Sequence, residues 1–354
     1  MEGTVNPEVA APPAAVLAID GGNSKTDVAL VAADGTVLAS VRGPGASRED
    51  YGTQGAMRIL GDLVRQAATR AGLDGPRAGV PIASHVSACL AGADLPEEEA
   101  ELTEALLGQG WATSAVALND TFAVLRAGVH RSADAAPWGV AITCGAGINC
   151  VAVAPDGRVA RYLALGMLTG DWGGGLGLSQ HIMWHSMRAA DGRGPATDLA
   201  AAVARHFGLP SVTDVAIAVH QGQLGEADLL SLPAVLFAVA AAGDTVAGSL
   251  VARQAEEICL MAVTAMRRLG LSSEGTPVAL GGGLLEANDA TLLAAITQRL
   301  AADTPGAVPR VVDIPPVAGA ALLGLDHVGC GPAAERQLRD AYQSTPREPV
   351  ADPA

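Results

Sequence analysis

The chain has 354 residues, too many for one ordinary hydrophobic core, and this length predicts two domains of roughly 100 to 200 residues each. Hydrophobic residues make up 49% of the sequence and charged residues 17%, which excludes a globally disordered chain. The 22 basic residues against 37 acidic residues give a formal net charge of −15. A chain this acidic repels polyanions, so we expect neither nucleic acid nor an anionic membrane among its partners.

The cysteines and the amino terminus indicate a cytoplasmic protein. The five cysteines are odd in number, irregularly spaced and without a CxxC pair, which is typical of reduced thiols. The first 20 residues contain no Lys or Arg and therefore lack the basic region of a secretory signal. The longest uncharged stretch, residues 135–155, is interrupted by three glycines and an asparagine, and we predict no membrane-spanning segment.

The first part of the chain predicts three strands followed by a helix, a strand, a helix and a strand. Residues 1–14 are rich in Pro and Ala without periodicity and predict a flexible tail. Apolar runs on either side of Gly21-Gly22 form a hairpin, and a turn at Asp34-Gly35 leads to a third strand, which completes an antiparallel meander. A helical pattern over 54–71, the strand ASHVSACLAG, a helix with three acids in its first turn and the strand SAVALND complete an α/β unit over residues 15–134.

The same pattern then begins again. A second hairpin interrupted by glycines, a turn at Asp156-Gly157 and the predicted strand RVARYLALG repeat the meander. Helical segments follow, and TPVALGGG supplies a late strand. This repetition predicts two domains of related fold, residues 15–134 and 135–313, with the ligand in the cleft between them.

The loop between the first two predicted strands, Asp20-Gly21-Gly22-Asn23-Ser24-Lys25-Thr26, has the composition of a phosphate-binding turn. Consecutive small residues leave backbone N–H groups able to converge on an anion. The carboxylate of Asp20 at the strand end can hold Mg²⁺ through water, because Mg²⁺ keeps part of its hydration shell. An ordinary hairpin turn is the alternative, and a Walker A loop is excluded because Ser24 stands where that motif needs glycine.

The polar pair Asn119-Asp120 ends the strand SAVALND and opens a helix. A carboxylate at this position can accept the proton of an attacking hydroxyl, which is the task of the base in phosphoryl transfer. Asn and Asp are also preferred helix caps, so the pair taken alone fits a structural role equally well.

Three further glycine-rich segments mark the second half of the chain. Gly145-Ala146-Gly147 lies in the turn of the second hairpin and can present backbone amides to a phosphate. Residues 170–177 contain five glycines, which are costly to order and predict a backbone constraint rather than a flexible linker. Gly281-Gly282-Gly283 follows a strand and can form a floor for a flat ring.

In this order, these segments resemble the motifs of the sugar kinase, heat-shock protein and actin superfamily. More narrowly, the chain is similar over residues 16–326 to the BadF/BadG-type ATPase family, which includes N-acetylglucosamine kinase. The resemblance implies an α/β fold with two duplicated ribonuclease H-like (actin-like ATPase) domains and a central cleft. It also implies a helix over 314–330 that packs back on the first domain, and we expect residues 331–354 to form a second flexible tail.

The resemblance implies an ATP- and Mg²⁺-dependent kinase acting on the 6-hydroxyl of a small sugar, N-acetylglucosamine or glucosamine. In that reading Asp120 is the catalytic base and Asp20 organises Mg²⁺. The residues expected to bind ATP are Gly21, Gly22, Asn23, Ser24, Lys25, Gly145, Ala146, Gly147, Gly281, Gly282 and Gly283. The residues expected to bind the sugar are Ser47, Asn119, Asp120, Asn149 and Asp171.

Departures from the family pattern leave alternatives open. Ala146 and Ile148 stand where relatives carry hydroxyl residues, and Ser47 stands where amino-sugar kinases carry a substrate-binding Asn. Trp172 and Gly174 replace Glu and Ser. One alternative is an activator of acyl-CoA dehydratases or reductases, which uses ATP and an iron–sulfur cluster between two subunits and needs exposed cysteines. Another is a degraded ATP- or sugar-binding sensor. The sequence leaves the sugar and the oligomeric state open, with a homodimer as one alternative.

Overall fold

The computed structural model describes residues 14–75, 80–131, 136–271 and 275–344. Within it the chain divides into two compact units. Unit 1 takes the chain up to Ala123 and resumes at Ile314, and unit 2 runs from Val124 to Asp313. The predicted boundary between residues 134 and 135 lies outside the described residues, as does nearly all of the predicted amino-terminal tail.

Unit 1 is built on a five-stranded sheet in the order β3-β2-β1-β4-β5. Its strands are β1 (Ala14–Gly21), β2 (Lys25–Val31), β3 (Val37–Pro44), β4 (Ala83–Leu90) and β5 (Ala112–Asn119). The first three pair antiparallel as the predicted meander, and β4 and β5 run parallel to β1. Gly21, Leu90 and Asn119 lie side by side in register, so the carboxyl ends of the three parallel strands meet at one edge.

Three helices connect and follow these strands: α1 (Arg48–Arg70), α2 (Pro96–Gly108) and α3 (Asp120–Gly128). Gly52 has a φ of 64° and interrupts α1, so the regular helix begins close to the predicted start at Gln54. Leucines of α1 and α2, among them Leu60 and Leu102, pack with the apolar residues of the sheet in one buried cluster. Removing this apolar surface from water stabilises the unit and fixes the strand ends that carry the polar motifs.

Unit 2 repeats the sheet of unit 1. Its strands are β6 (Gly139–Cys144), β7 (Ile148–Val153), β8 (Val159–Arg161), β9 (Thr276–Gly281) and β10 (Ala307–Val311). Their order, β8-β7-β6-β9-β10, matches β3-β2-β1-β4-β5 position by position, with an antiparallel meander followed by two parallel strands. The predicted duplication of an α/β fold is therefore confirmed.

The helices of unit 2 cover this sheet and extend from it. They are α4 (Gly174–Ala190), α5 (Leu199–His206), α6 (Val212–His220), α7 (Glu226–Leu229), α8 (Leu232–Ala241), α9 (Thr245–Leu269), α10 (Gly283–Glu286) and α11 (Ala290–Asp303). The longest, α9, is capped by Asp244, whose side chain accepts a hydrogen bond from the Ala247 N–H. It ends at Gly270, which adopts the left-handed conformation common at helix ends. Its buried face packs against β6 and β7.

Two strands of unit 2 differ from the sequence prediction. The third strand was predicted over RVARYLALG, but β8 has only three residues, because the chain turns at Ala164 and Gly166, both with positive φ. A short 3₁₀ turn, Gly166–Leu168, follows. The pattern did not predict β10, a five-residue strand that contains Pro309. Proline is tolerated there because β10 lies at the sheet edge, where one missing N–H need not break the ladder.

The chain ends with two helices that belong to unit 1. Helix α12 (Pro316–His327) packs on β1 and β4. The predicted flexible tail from residue 331 is wrong for residues 332–344, which form α13 (Pro332–Ser344). This helix buries Leu338 and an ion pair in which Arg339 Nε lies 2.9 Å from Glu335 Oε1. The segment is short and rich in charged residues and alanine, so its composition alone did not indicate an amphipathic helix. Residues 345–354 lie outside the described part.

Among the described residues, no single helix is long and apolar enough to cross a membrane. The helical stretches Glu226–Ala241 and Thr245–Leu269 reach the required length and hydropathy only as a pair, and they meet at an angle of 117°.

Candidate active site

The carboxyl edge of the unit 1 sheet brings two predicted site residues together. Asp20 is the penultimate residue of β1, and Asp120 directly follows β5. Between them, Cys89 of β4 lies in register with Asp20. Burial raises the pKa of the Cys89 thiol well above its usual value, and the negative charges of Asp20 and Asp120 raise it further. Asp20 and Asp120 therefore both lie within electrostatic reach of the same buried thiol.

Asp120 has the electrostatic character of a proton acceptor. Burial raises its carboxyl pKa from 3.8 to about 6, although hydrogen bonds from the backbone amides of Thr121 and Asp120 itself oppose the rise. Part of the residue still reaches the surface. A carboxyl group with a pKa near 6 is ionised at neutral pH and is a stronger base than an ordinary aspartate.

Asn119 is the residue that caps α3. The sequence alone left open whether Asn119 or Asp120 has this role. Its Oδ1 accepts a hydrogen bond from the Thr121 N–H at 3.0 Å, and its Nδ2 donates to Asp94 Oδ1 at 2.8 Å. The residue is 2% exposed. The amide of Asn119 is thus committed to positioning α3 and the loop before α2, while sugar binding by Asn119 stays a prediction.

Two carboxylates near the start of α2 also hold the backbone around Asn119 in place. The sequence did not predict this role. Glu99 Oε1 accepts a hydrogen bond from the Asn119 N–H at 3.0 Å. Glu98 Oε2 accepts from the backbone amides of Asp94 and Leu95, and its other oxygen pairs with Arg48. The sequence signal, three acids in a first helical turn, indicated helix stabilisation and gave no sign of a contact with β5.

Ser47 is a helix cap rather than an open polar group. Its hydroxyl accepts a hydrogen bond from the Glu49 N–H at 3.1 Å, and the residue is 1% exposed at the start of α1. The neighbouring Ala46 N–H donates to the Gly22 carbonyl at 3.3 Å, which holds this segment against the first predicted phosphate loop, residues 20–26. Sugar binding by Ser47 stays a prediction.

The first predicted phosphate loop is a tight turn with an exposed tip. The N–H of Gly22 donates to the carbonyl of Lys25 at 2.9 Å and is used in closing the turn. Asn23, Ser24 and Lys25 are exposed. The tip, rather than Gly22, is therefore the part of the loop that can meet an anion.

In unit 2 the second predicted phosphate loop, residues 145–147, contacts the segment that opens α4. The Gly145 N–H donates to the Gly147 carbonyl at 3.0 Å and closes the turn. The carbonyls of Gly145 and Ala146 accept hydrogen bonds from the N–H groups of Gly175 and Leu176 at 2.7 and 2.9 Å. A Cβ added to Gly174 would lie 2.5 Å from the carbonyl carbon of Gly147, so only glycine allows this approach.

The third glycine segment reaches the same place. A Cβ added to Gly282 would lie 2.6 Å from the carbonyl carbon of Cys144, at the end of β6. Gly283 is exposed and has open space where a side chain would stand. Segments 145–147, 173–175 and 281–283 thus converge at the end of β6. The sequence indicated 145–147 and 281–283 as candidate nucleotide-binding residues and 170–177 as a constrained segment, but it gave no sign of their mutual contacts.

The two residues predicted to orient the sugar flank this convergence along the chain. The Asp171 carboxylate accepts a hydrogen bond from the Thr169 hydroxyl at 2.6 Å, and its N–H donates to the Gly166 carbonyl at 3.1 Å. The Asn149 Oδ1 accepts from the Cys150 N–H at 2.7 Å. Asp171 precedes Gly174 by three residues, and Asn149 follows Gly147 by two.

Asp20 is the carboxylate predicted to organise Mg²⁺. The described residues contain no cluster of three or more His, Cys, Asp or Glu side chains able to hold a metal. A single carboxylate such as Asp20 fits Mg²⁺, which usually takes one or two protein carboxylates together with substrate phosphates and water.

Three comparisons place the chain among known proteins. The model of the BadF/BadG/BcrA/BcrD ATPase family matches residues 17–324. An N-acetylmuramic acid/N-acetylglucosamine kinase from Clostridium acetobutylicum is 23% identical over 271 residues, which cover 76% of this chain and 85% of the relative. An N-acetyl-D-glucosamine kinase from Dictyostelium discoideum is 24% identical over 322 residues, covering 88% and 97%.

The fold is also found in solved structures. The crystal structure of a "Putative N-acetylglucosamine Kinase" from Chromobacterium violaceum superposes with a TM-score of 0.68 at 23% sequence identity. The match covers 87% of this chain and 98% of that one, so the similarity extends over both duplicated units.

Proposed function

Because the chain belongs to the BadF/BadG/BcrA/BcrD ATPase family, we propose that it is an ATP- and Mg²⁺-dependent sugar kinase. Its proposed acceptor is the 6-hydroxyl of N-acetylglucosamine or glucosamine. The amino-sugar kinases among its relatives support this substrate class. We also propose a cytoplasmic location, since all five cysteines are free thiols.

The observation that carries the proposal is the placement of Asp120. It lies at the carboxyl edge of the unit 1 sheet, separated from the Asp20 strand by β4 alone, and burial raises its pKa to about 6. Asn119 caps α3, so Asp120 is not needed for that structural role. A desolvated carboxylate that the fold does not need as a cap is suited to catalysis.

In the proposed reaction, Asp120 accepts the proton of the sugar hydroxyl as the oxygen forms its bond to the γ-phosphorus of ATP. The bond between the γ-phosphorus and the β–γ bridging oxygen breaks, and ADP leaves with that electron pair. Asp120 ends the step protonated and returns its proton to water. The products are a sugar phosphate and ADP.

Binding is assigned to the remaining predicted residues. The exposed tip Asn23-Ser24-Lys25 and the turn 145–147 are proposed to hold phosphates, and Gly281-Gly282-Gly283 to hold the adenosine. Asn149 and Asp171 are proposed to orient the sugar ring. Mg²⁺, held near Asp20 with the phosphates of ATP, would neutralise the charge on the transferred group.

A coupled assay of ADP release tests the proposal. Purified protein is incubated with ATP, Mg²⁺ and a panel of hexoses, amino sugars and N-acetylated amino sugars. We expect ADP release that depends on an amino sugar and is slow without sugar. ADP release that no sugar stimulates would leave the proposed function without support.

The activator alternative is disfavoured by the cysteines. Cys89, Cys144, Cys150 and Cys259 are buried, and only Cys330 is partly exposed. A cluster shared by two subunits needs thiols at a surface. An anaerobically purified sample with the visible absorption of an iron–sulfur cluster would restore that alternative.

A further inference from the structure

Gln254 is a fully buried polar side chain in an otherwise apolar face of α9. It is 0% exposed, and Leu250 and Ile258, one turn away on either side, belong to the buried core. Burying an amide in apolar surroundings is unfavourable unless its oxygen and nitrogen both find partners. The partners of Gln254 therefore indicate why glutamine occupies this position.

Its side chain bridges two of the glycine segments. Gln254 Oε1 accepts a hydrogen bond from the Gly174 N–H at 3.1 Å, and Nε2 donates to the Cys144 Sγ at 3.7 Å. A Cβ added to Gly173 would lie 2.1 Å from Gln254 Oε1, so the amide packs directly on this part of the backbone. Gln254 thus joins the start of α4 to the end of β6.

The hydrogen bond from Gly174 to Gln254 constrains a stretch of backbone that would otherwise be flexible. Gly173 and Gly174 have φ values of 103° and 72°, and glycine has the greatest backbone freedom of any residue. The N–H groups of Gly175 and Leu176 already bond to the second phosphate loop, which fixes the chain after this point. The segment before it carries Asp171 and Trp172, whose ring packs on His181 and on the core of unit 2, and Gln254 supplies the hydrogen bond at the point where this segment joins α4.

The geometry points to Gln254 as a positioning residue that holds the Asp171 segment against the second phosphate loop, an inference that rests on the proposed kinase function. It contacts no reacting atom and acts through Gly174. Its loss lets the Asp171 carboxylate sample several positions, which weakens sugar binding and alignment. The phosphate loop keeps its own turn bond and its bonds from α4, so nucleotide binding changes less.

Steady-state kinetics of three variants test this role. Gln254→Met keeps the approximate shape of the side chain and removes its hydrogen bonds to Gly174 and Cys144. We expect the KM for the sugar to rise about tenfold and kcat to fall, with the KM for ATP within about threefold of wild type. Gln254→Glu keeps an oxygen that accepts from Gly174 and should keep the sugar KM within about threefold. Ile258→Ala, on the same face of α9, opens a cavity in the apolar core, and it should lower Tm with an unchanged sugar KM. If Gln254→Met does not fold, Gln254→Ala takes its place with the same expectation.

Hydrogen exchange followed by mass spectrometry separates this role from the proposed function. In Gln254→Met, the peptide that spans residues 170–175 should exchange at least about tenfold faster than in wild type and in Ile258→Ala. Faster exchange with no sugar phosphorylated by wild type would support the anchor and remove the kinase assignment. Unchanged exchange and an unchanged sugar KM in Gln254→Met, or a sugar KM in Gln254→Glu as high as in Gln254→Met, would overturn the inference.

Discussion

Replacing Asp120 with asparagine should separate the catalytic use of this residue from its structural cost. Asparagine has nearly the same shape but cannot accept the proton of the sugar hydroxyl. We expect kcat to fall by about 10²–10⁴, the usual range for a lost general base, with binding of sugar and ATP retained. The same substitution should make the protein more stable at neutral pH.

The size of the stability gain follows from the pKa of the carboxyl group. Burial raises the Asp120 pKa from 3.8 in an open chain to about 6 in the folded protein. At 1.36 kcal/mol for each pH unit, the folded state loses up to about 3 kcal/mol by holding this carboxylate ionised. Solvent reaches part of the residue and screens the charge, so we expect a gain of about 1–3 kcal/mol for Asp120→Asn.

The stability difference between wild type and Asp120→Asn should depend on pH. Above pH 6 the carboxyl group is ionised in both folded and unfolded chains, and wild type carries the full penalty. Below pH 3.8 it is protonated in both, and the penalty disappears. The stability advantage of Asp120→Asn should therefore be constant above pH 6 and vanish as the pH falls toward 4.

Urea unfolding of wild type and Asp120→Asn between pH 4 and 8 measures this difference. Asp244→Asn is the matched control, because Asp244 caps α9 and accepts hydrogen bonds from the amides of Ala247 and Asp198. Burial acts to raise the pKa of the Asp244 carboxyl group, but these hydrogen bonds together outweigh it and lower that pKa. Asp244→Asn should thus lose stability at neutral pH, and this loss should shrink in acid. A loss of stability in Asp120→Asn at pH 7, together with near wild-type turnover, would show that Asp120 is only structural.

Three further outcomes follow from the site. The kcat/KM for the sugar should fall about tenfold per pH unit below pH 6, because protonated Asp120 cannot accept a second proton; a profile flat down to pH 5 contradicts this. N-acetylglucosamine or glucosamine should exceed glucose in kcat/KM by at least about tenfold if Asn149 and Asp171 pair with the amino-sugar ring, whereas equal values would remove that assignment. Gly174→Ala should abolish most activity because its Cβ would meet Gly147 at 2.5 Å, whereas Gly177→Ala, with no atom within 4 Å of an added Cβ, should be neutral or slightly stabilising in the same assay and in thermal unfolding.

The sequence predicted the duplicated fold because its signals were local. Alternating apolar strands around glycine turns indicate a meander in one short window, and the second window repeats the first. The order of the parallel strands follows from the resemblance and from the ordinary rules for α/β units. Asp20 and Asp120 were identified because each stands at the end of such a strand.

The contacts that organise the site could not be predicted in this way. Gly174 meets Gly147 through backbone atoms, and such a long-range approach leaves no periodic pattern. Gln254 lies inside an apolar helix pattern, where a lone polar residue gives no indication of its partners. Asn119 and Ser47 have residue types that suit both a cap and a ligand, and only their hydrogen bonds distinguish the two roles.

The most direct test of the account is to identify the product by phosphorus NMR after incubation of the protein with ATP, Mg²⁺ and N-acetylglucosamine or glucosamine. We expect a sugar phosphate ester at the 6-position, formed in equal amount with ADP, and we expect Asp120→Asn to form it at least about 100-fold more slowly. ATP that stays intact, or ADP accompanied only by inorganic phosphate, would contradict the assignment of the protein as a sugar kinase.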